Sequence, residues 1–173
     1  MARDQHPLTP LEEALEAWED IRDGLIAEVD NIPADRFDFR PAPDTRTVAE
    51  LVRHIMEVAL LMAGELGRPD TDLRRAPWPQ LLALYDGPIR KASSKTDLIA
   101  ALSSTFQESV RRFRDLGEEG VLQPITRFDG KKGTKLAWLH HGLAHEQYHR
   151  GQLAVYQRLM GIEPALTRLI RGG

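Results

Sequence analysis

The stretch Trp138-Leu139-His140-His141-Gly142-Leu143-Ala144-His145-Glu146-Gln147-Tyr148-His149-Arg150-Gly151-Gln152-Leu153 decides how this chain is read. It lies within a segment of helical periodicity that runs from about Thr134 to Met160, with Gly161 as its C-cap. Residues i and i+4 of a helix share a face with Cβ atoms about 5–6 Å apart, so the rings of His145 and His149 can converge on one cation at about 2.0–2.1 Å. At about 100° per residue, Trp138, Gly142, His145, His149, Gln152, Leu153, Tyr156 and Met160 share one sector, which is the inward one. Uncoordinated imidazoles are costly to bury and repel each other when protonated. A metal resolves both problems, and the remaining question is where a third ligand comes from.

Outward from this segment, three more helices are legible. Leu11, Leu15, Trp18, Ile21, Leu25, Val29 and Ile32 form an apolar stripe entered after Thr9 and Pro10 and closed by Pro33. The proline-rich segment from Phe37 to Pro43 predicts an extended connection. Thr45 or Thr47 then caps a second helix, with Glu50 placed for a capping box from Thr47; its face is Val48, Leu51, Val52, Ile55, Val58, Ala59 and Met62, and Gly67 and Pro69 stop it. Prolines 77, 79 and 88 leave room for one short helix around Gln80 to Tyr85. Ser94 or Thr96 caps a third long helix through Leu98, Leu102, Thr105, Phe106, Ser109, Phe113 and Leu116, ended by Gly117. Gly120 to Gly133 reads as a loop with room for a small hairpin, and after the fourth helix the tail returns through Pro164. Four long helices without a convincing strand pattern predict an all-α, antiparallel four-helix bundle with long inter-helix connections.

His54 follows Leu51 by three and precedes Val58 by four, which puts it on or beside the buried face of its helix and makes it the natural third ligand. His141 extends the stripe by a turn but drifts about 80° from His149, so it is expected behind the ligands rather than among them. His140 and His6 read as surface residues. Glu146 completes a literal H-E-x-x-H, in which a protease would use the Glu as general base. No suitable downstream ligand or substrate-binding edge strand accompanies it, and at about 60° from His149 toward the polar side Glu146 reads as a solvated residue. Arg150 and Gln152 are candidates for orienting the histidines, and Trp18 and Trp138 for the core.

Composition narrows the classes further. The chain has 173 residues, 42% of them hydrophobic, which is the size and content of one domain, 1–173. A net charge of −3 with scattered basic residues argues against nucleic acid. There is no cysteine, which removes disulfides, thiolate ligands and a cysteine nucleophile, and any metal must take N and O ligands. Residues 1–7 lack the apolar run of a signal peptide and the longest apolar run, Val58 to Ala63, is too short to span a bilayer, so a cytoplasmic location without membrane contact is expected. The apolar runs Leu25-Ile26 and Leu60-Leu61-Met62 look wider than one bundle seam needs and predict a homodimer.

Arg40-Pro41-Ala42-Pro43-Asp44-Thr45-Arg46-Thr47-Val48-Ala49-Glu50-Leu51-Val52-Arg53-His54-Ile55, followed far downstream by His141-Gly142-Leu143-Ala144-His145-Glu146-Gln147-Tyr148-His149-Arg150-Gly151-Gln152, resembles the DinB-like (YfiT-like) metalloenzymes. The resemblance implies a four-helix bundle with a divalent metal, commonly zinc or nickel, held by His54, His145 and His149 with water at open positions. It also implies S-transferase or isomerase chemistry with a low-molecular-weight thiol in some relatives. Metal-dependent hydrolysis and a structural or sensory metal are the other readings. A neutral three-His site leaves the ion's charge uncompensated, so either a thiol or a water bound there ionises more readily.

Overall fold

Residues 9–172 are described by a computed structural model, and His6 lies outside them. Each long helix starts where local chemistry satisfies its free N–H groups. Thr9 accepts from Glu12 at the head of α1 (Pro10–Asn31). At α2 (Val48–Leu66), Thr47 and Glu50 cap each other reciprocally, and Gly67 closes the other end. Ser94 and Asp97 form the same device at α4 (Lys95–Val121), and Thr134 caps α5 (Lys135–Leu159). The expected short helix is α3 (Trp78–Tyr85). Gly117 does interrupt the third long helix, with φ +72°, but the chain resumes helical turns to Val121 before Pro124–Thr126 (β1) and Lys132–Thr134 (β2) pair as the small antiparallel hairpin.

Two apolar clusters show how the helices run. One contains the C-terminal halves of α1 and α5 (Leu25, Val29; Leu153, Tyr156) with the N-terminal halves of α2 and α4 (Val52, Ile55; Leu98, Leu102). The other contains the opposite halves, among them Leu15, Leu143, Met62 and Phe113. Helices α1 and α5 therefore run one way, α2 and α4 the other. Helix α1 lies against α4 and its parallel partner α5, and α2 lies against α5 and its parallel partner α4. The bundle is antiparallel across α1/α4 and α2/α5 and parallel across the other two faces, a refinement of the expected antiparallel bundle. This order explains the long connections. The chain crosses a diagonal between α1 and α2, and between the parallel α2 and α4 it must travel back along the bundle.

That return segment is pinned by polar groups. The buried Glu65 of α2 accepts from Arg75 Nε at 2.9 Å and from Tyr85 Oη at 2.7 Å. Gly64 makes the approach possible, because a Cβ there would overlap the Tyr85 ring. Farther along, Lys135 Nζ donates to the Arg68 carbonyl at 2.8 Å and to Gln123 Oε1 at 3.1 Å.

The tail does more than return. Residues 165–172 form α6 (Ala165–Gly172), docked on α1, and its first N–H groups are capped from a distance: Ala165 N and Leu166 N donate to the Glu28 carboxylate at 2.8 and 3.1 Å. The apolar runs that suggested a homodimer are spent inside the chain. Leu25, Leu60, Leu61 and Met62 are buried and Ile26 packs against the core. Exposed apolar side chains lie instead on the outer face of α5 (Tyr148, Val155, Leu159) and on α6 (Leu166, Leu169, Ile170). Among the described residues, no helix is long and apolar enough to cross a membrane.

Candidate metal centre

The antiparallel packing of α2 on α5 brings His54 opposite His145 and His149, and these three form the group of side chains able to hold a metal ion. His145 Nε2 lies 3.3 Å from His54 Nε2 and 3.0 Å from His149 Nε2. Metal–nitrogen bonds of about 2.0–2.1 Å put neighbouring ligand nitrogens about 3.3 Å apart around a tetrahedral ion and about 2.9 Å apart around an octahedral one. The observed separations fall in that range, so the donor set fits a divalent cation. Lone pairs this close repel unless a proton or a cation lies between them.

The remaining ring nitrogens are held so that the Nε2 atoms face inward. Gln152 Oε1 lies 2.7 Å from His149 Nδ1, which fixes the proton on Nδ1 and frees the Nε2 lone pair. Glu57 Oε2 is 3.9 Å from His54 Nδ1. Burial pushes His54 down to about 4, with the charge of Arg46 adding to it. Burial also pushes His145 down to about 3, assisted by His149 and His54, and lowers His149 against the opposing pull of Gln152. The imidazoles are thus neutral at pH 7 and offer lone pairs.

Stability should follow. Below the ordinary imidazole value of 6.5, the unfolded chain binds protons that the folded, metal-free chain refuses until about 4 at His54 and about 3 at His145. The unfolded state then binds more protons, so stability falls as pH drops from 6.5 toward 4 and is insensitive to these groups above 6.5. Urea midpoints of the metal-free protein between pH 7 and 4.5 should fall more steeply than those of a His54→Ala/His145→Ala double variant; parallel curves would contradict these shifts.

Glu146 corrects the sequence reading. It is not solvated: its side chain is 3% exposed, its Oε1 accepts from Arg22 Nε at 2.6 Å, and its Oε2 accepts from Arg22 NH2 at 2.9 Å and Trp18 Nε1 at 2.8 Å. The reason is a rotation of the buried face of α5, which centres on Leu139, Leu143, Glu146, Leu153 and Gln157 and leaves His145 and His149 at its α2 edge. Arg22 also donates to the Leu102 carbonyl at 2.6 Å, so one ion pair ties α5, α1 and α4 together. With both oxygens occupied, Glu146 is no free general base.

The other residues sort as follows. Trp18 is core, edge-on to Phe106 and Phe113. Trp138 is half-buried and stacks on the exposed His141 with centroids 4.4 Å apart; His141 stays outside the ligand group and acts on His145 only through its charge. His140 is exposed. Arg150 lies across Gly24 on α1, away from the orienting role considered for it. A cavity of about 680 Å³ opens on His54 and is lined by Arg46, Arg53, Glu57, Gln152 and Tyr156, among others.

A four-helix bundle with three convergent imidazoles beside an open cavity defines the class. The sequence profile of the DinB superfamily matches residues 17–153, and the chain belongs to that superfamily. The uncharacterized protein YjoA of Bacillus subtilis (strain 168) is 27% identical over 134 residues, covering 76% of this chain and 79% of YjoA. The crystal structure of YjoA superimposes with a TM-score of 0.66 at 24% identity, over 86% of this chain and 92% of that one. YfiT from Bacillus subtilis gives a TM-score of 0.70 at 14% identity, with 94% of each chain covered. A mutant of the mycothiol-dependent maleylpyruvate isomerase gives 0.65 at 12% identity, over 84% of this chain and 61% of that one. These structural likenesses concern the fold.

Proposed function

We propose that the chain is a metal-dependent enzyme acting on a small molecule, with His54, His145 and His149 holding a divalent ion, zinc or nickel, and a low-molecular-weight thiol as the preferred co-substrate. The observation that carries this reading is the convergence of three imidazoles, one of which, His54, lines a cavity of substrate size. A structural metal would be closed by a fourth side chain, whereas among the described residues this donor set numbers three. The ion's chemistry there would be to lower the pKa of a thiol or water bound beside it.

The protein's own contribution is orientation. Gln152 aims the ring of His149, Glu57 stands 3.9 Å from His54 Nδ1, and burial keeps the imidazoles neutral. The occupied state of Glu146 favours thiol transfer over hydrolysis, because hydrolysis gains from a free general base next to the water and thiol chemistry does not need one. In the transfer, the sulfur bonds to an electrophilic carbon, its proton goes to solvent, and the leaving group departs with the electron pair of its broken bond. Two fold relatives are named for related activities, a "probable metal-dependent hydrolase" and a mycothiol-dependent isomerase. Both classes belong in the test.

Metal-loaded protein is to be screened with low-molecular-weight thiols and electrophilic acceptors, beside esters and amides. Thiol turnover that disappears with chelator and with His149→Ala is expected. Hydrolysis without thiol turnover would select the hydrolase, and a loaded site without any turnover would select the structural metal. A cytoplasmic homodimer completes the proposal, its contact assigned to the exposed apolar face of α5 and α6; a purely monomeric species in sedimentation at micromolar concentration would reject the dimer.

A further inference from the structure

The cavity beside the histidines contains a cation with no structural task. Arg46 lies just before the N-cap of α2, and its backbone is fixed: Tyr156 Oη donates to the Arg46 carbonyl at 3.1 Å, and the preceding turn is closed by Thr45 Oγ1 donating to the Ala42 carbonyl at 2.8 Å. The exposed Arg46 side chain borders the cavity, where its charge acts on the Glu57 carboxylate, and among the described residues its guanidinium forms no hydrogen bond or ion pair. The other charged groups there are differently placed. Arg53 donates to the Ala92 carbonyl at 3.1 Å, Glu50 is engaged by the Thr47 N–H at 2.7 Å, and Glu57 faces His54. Asp44 shares the rim.

A free cation beside three metal-binding imidazoles is electrostatically unfavourable. Its field reaches all of them, since Arg46 contributes to the lowering of His54, His145 and His149 alike. The same field opposes a divalent ion. Solvent and the nearby Glu57 carboxylate offset part of that charge, and an anion entering between Arg46 and the metal would offset more of it.

We infer that Arg46 is the substrate-anchoring residue of this cavity, and that the small molecule handled at the histidine centre carries a carboxylate which the Arg46 fork grips while the reacting group lies at the histidines. Two features set the class. The guanidinium presents paired N–H donors that match a carboxylate, and Asp44, Glu50 and Glu57 in the same cavity disfavour a multiply charged anion such as a phosphate dianion.

The inference rests on the three-histidine metal reading, and its test separates the two. Cobalt(II)-loaded protein is titrated with mercaptoacetate, 3-mercaptopropionate and 4-mercaptobutyrate and with the matching neutral mercapto-alcohols, binding being read from the visible cobalt spectrum. In the wild-type protein the best carboxylate should bind about tenfold more tightly than its neutral partner. Arg46→Ala should bring that ratio close to one, Arg46→Lys should retain part of it, and Arg46→Glu should invert it. Arg46→Ala should also bind cobalt alone a few-fold more tightly, because a repelling charge is gone. A wild-type ratio near one, or a preference that survives Arg46→Ala because the carboxylate binds the metal itself, overturns the anchoring role. Failure of cobalt to bind the wild-type protein overturns the metal reading and this inference with it. Circular dichroism on each variant confirms that the compared proteins are folded.

Discussion

Arg22→Ala is expected to destabilise the fold by about 3–5 kcal/mol, the usual cost of removing one partner from a buried ion pair. The guanidinium is 1% exposed and makes its contacts to Glu146 on α5 and to the Leu102 carbonyl on α4, so its loss leaves a desolvated carboxylate facing Trp18. For a domain whose total stability is of order 5–15 kcal/mol, that is a large fraction. Glu146→Gln is the milder probe, since an amide keeps an acceptor for Arg22. The paired replacement Arg22→Met/Glu146→Leu should recover most of the loss, because an apolar pair leaves no charge stranded. Denaturant unfolding checks all three. A cost below about 1 kcal/mol for Arg22→Ala would mean that Glu146 is solvated after all.

The second large effect concerns metal affinity. His145 Nε2 lies between the other two ligand nitrogens, 3.3 Å from one and 3.0 Å from the other, so His145→Ala removes the centre of the donor set. Affinity for zinc or nickel should fall by more than about a hundredfold, beyond the 10–100-fold expected for Gln152→Ala, which only releases the ring of His149. His141→Ala should change it little, since that ring stacks on Trp138 outside the group. Competition against a chromophoric chelator measures all three. Equal affinities for wild type and His145→Ala would place the metal elsewhere.

What was legible in the sequence is what is encoded locally. Thr9, the Thr47/Glu50 box, Ser94 and Gly67 act on backbone groups within four residues of themselves, and each shapes its helix end as the pattern predicts, whereas Gly117 only kinks a helix that continues to Val121. His145 and His149 are a local pair, and His54 could be matched to them because its own helix announces a buried face.

The unseen features are non-local. Glu28 caps α6 from another helix, so residues 165–172 showed no start signal of their own. The parallel placement of α1 beside α5 depends on which diagonal the connections cross, which periodicity does not record. Periodicity centres the inward sector of α5 on Trp138, His149 and Tyr156 and leaves Glu146 outside it, whereas the buried face is turned toward Leu139, Glu146 and Leu153. A signal did exist: Arg22 stands on the spacing of Trp18, Leu25 and Val29, and a cation on an apolar stripe demands a buried anion opposite. Arg46 carries no such signal, since its place beside His54 at the cavity comes from the tertiary packing of α2 and α5.

Whether these three imidazoles hold one divalent ion is decided by where a bound metal sits. Anomalous diffraction from zinc-loaded crystals, collected on both sides of the metal absorption edge, tests it most directly. One strong peak is expected, bonded at about 2.0–2.1 Å to Nε2 of His54, His145 and His149, with the remaining coordination directed toward the cavity that His54 lines. A fully loaded protein whose peak lies away from these nitrogens, or whose ion is closed off by a fourth side chain, would contradict it.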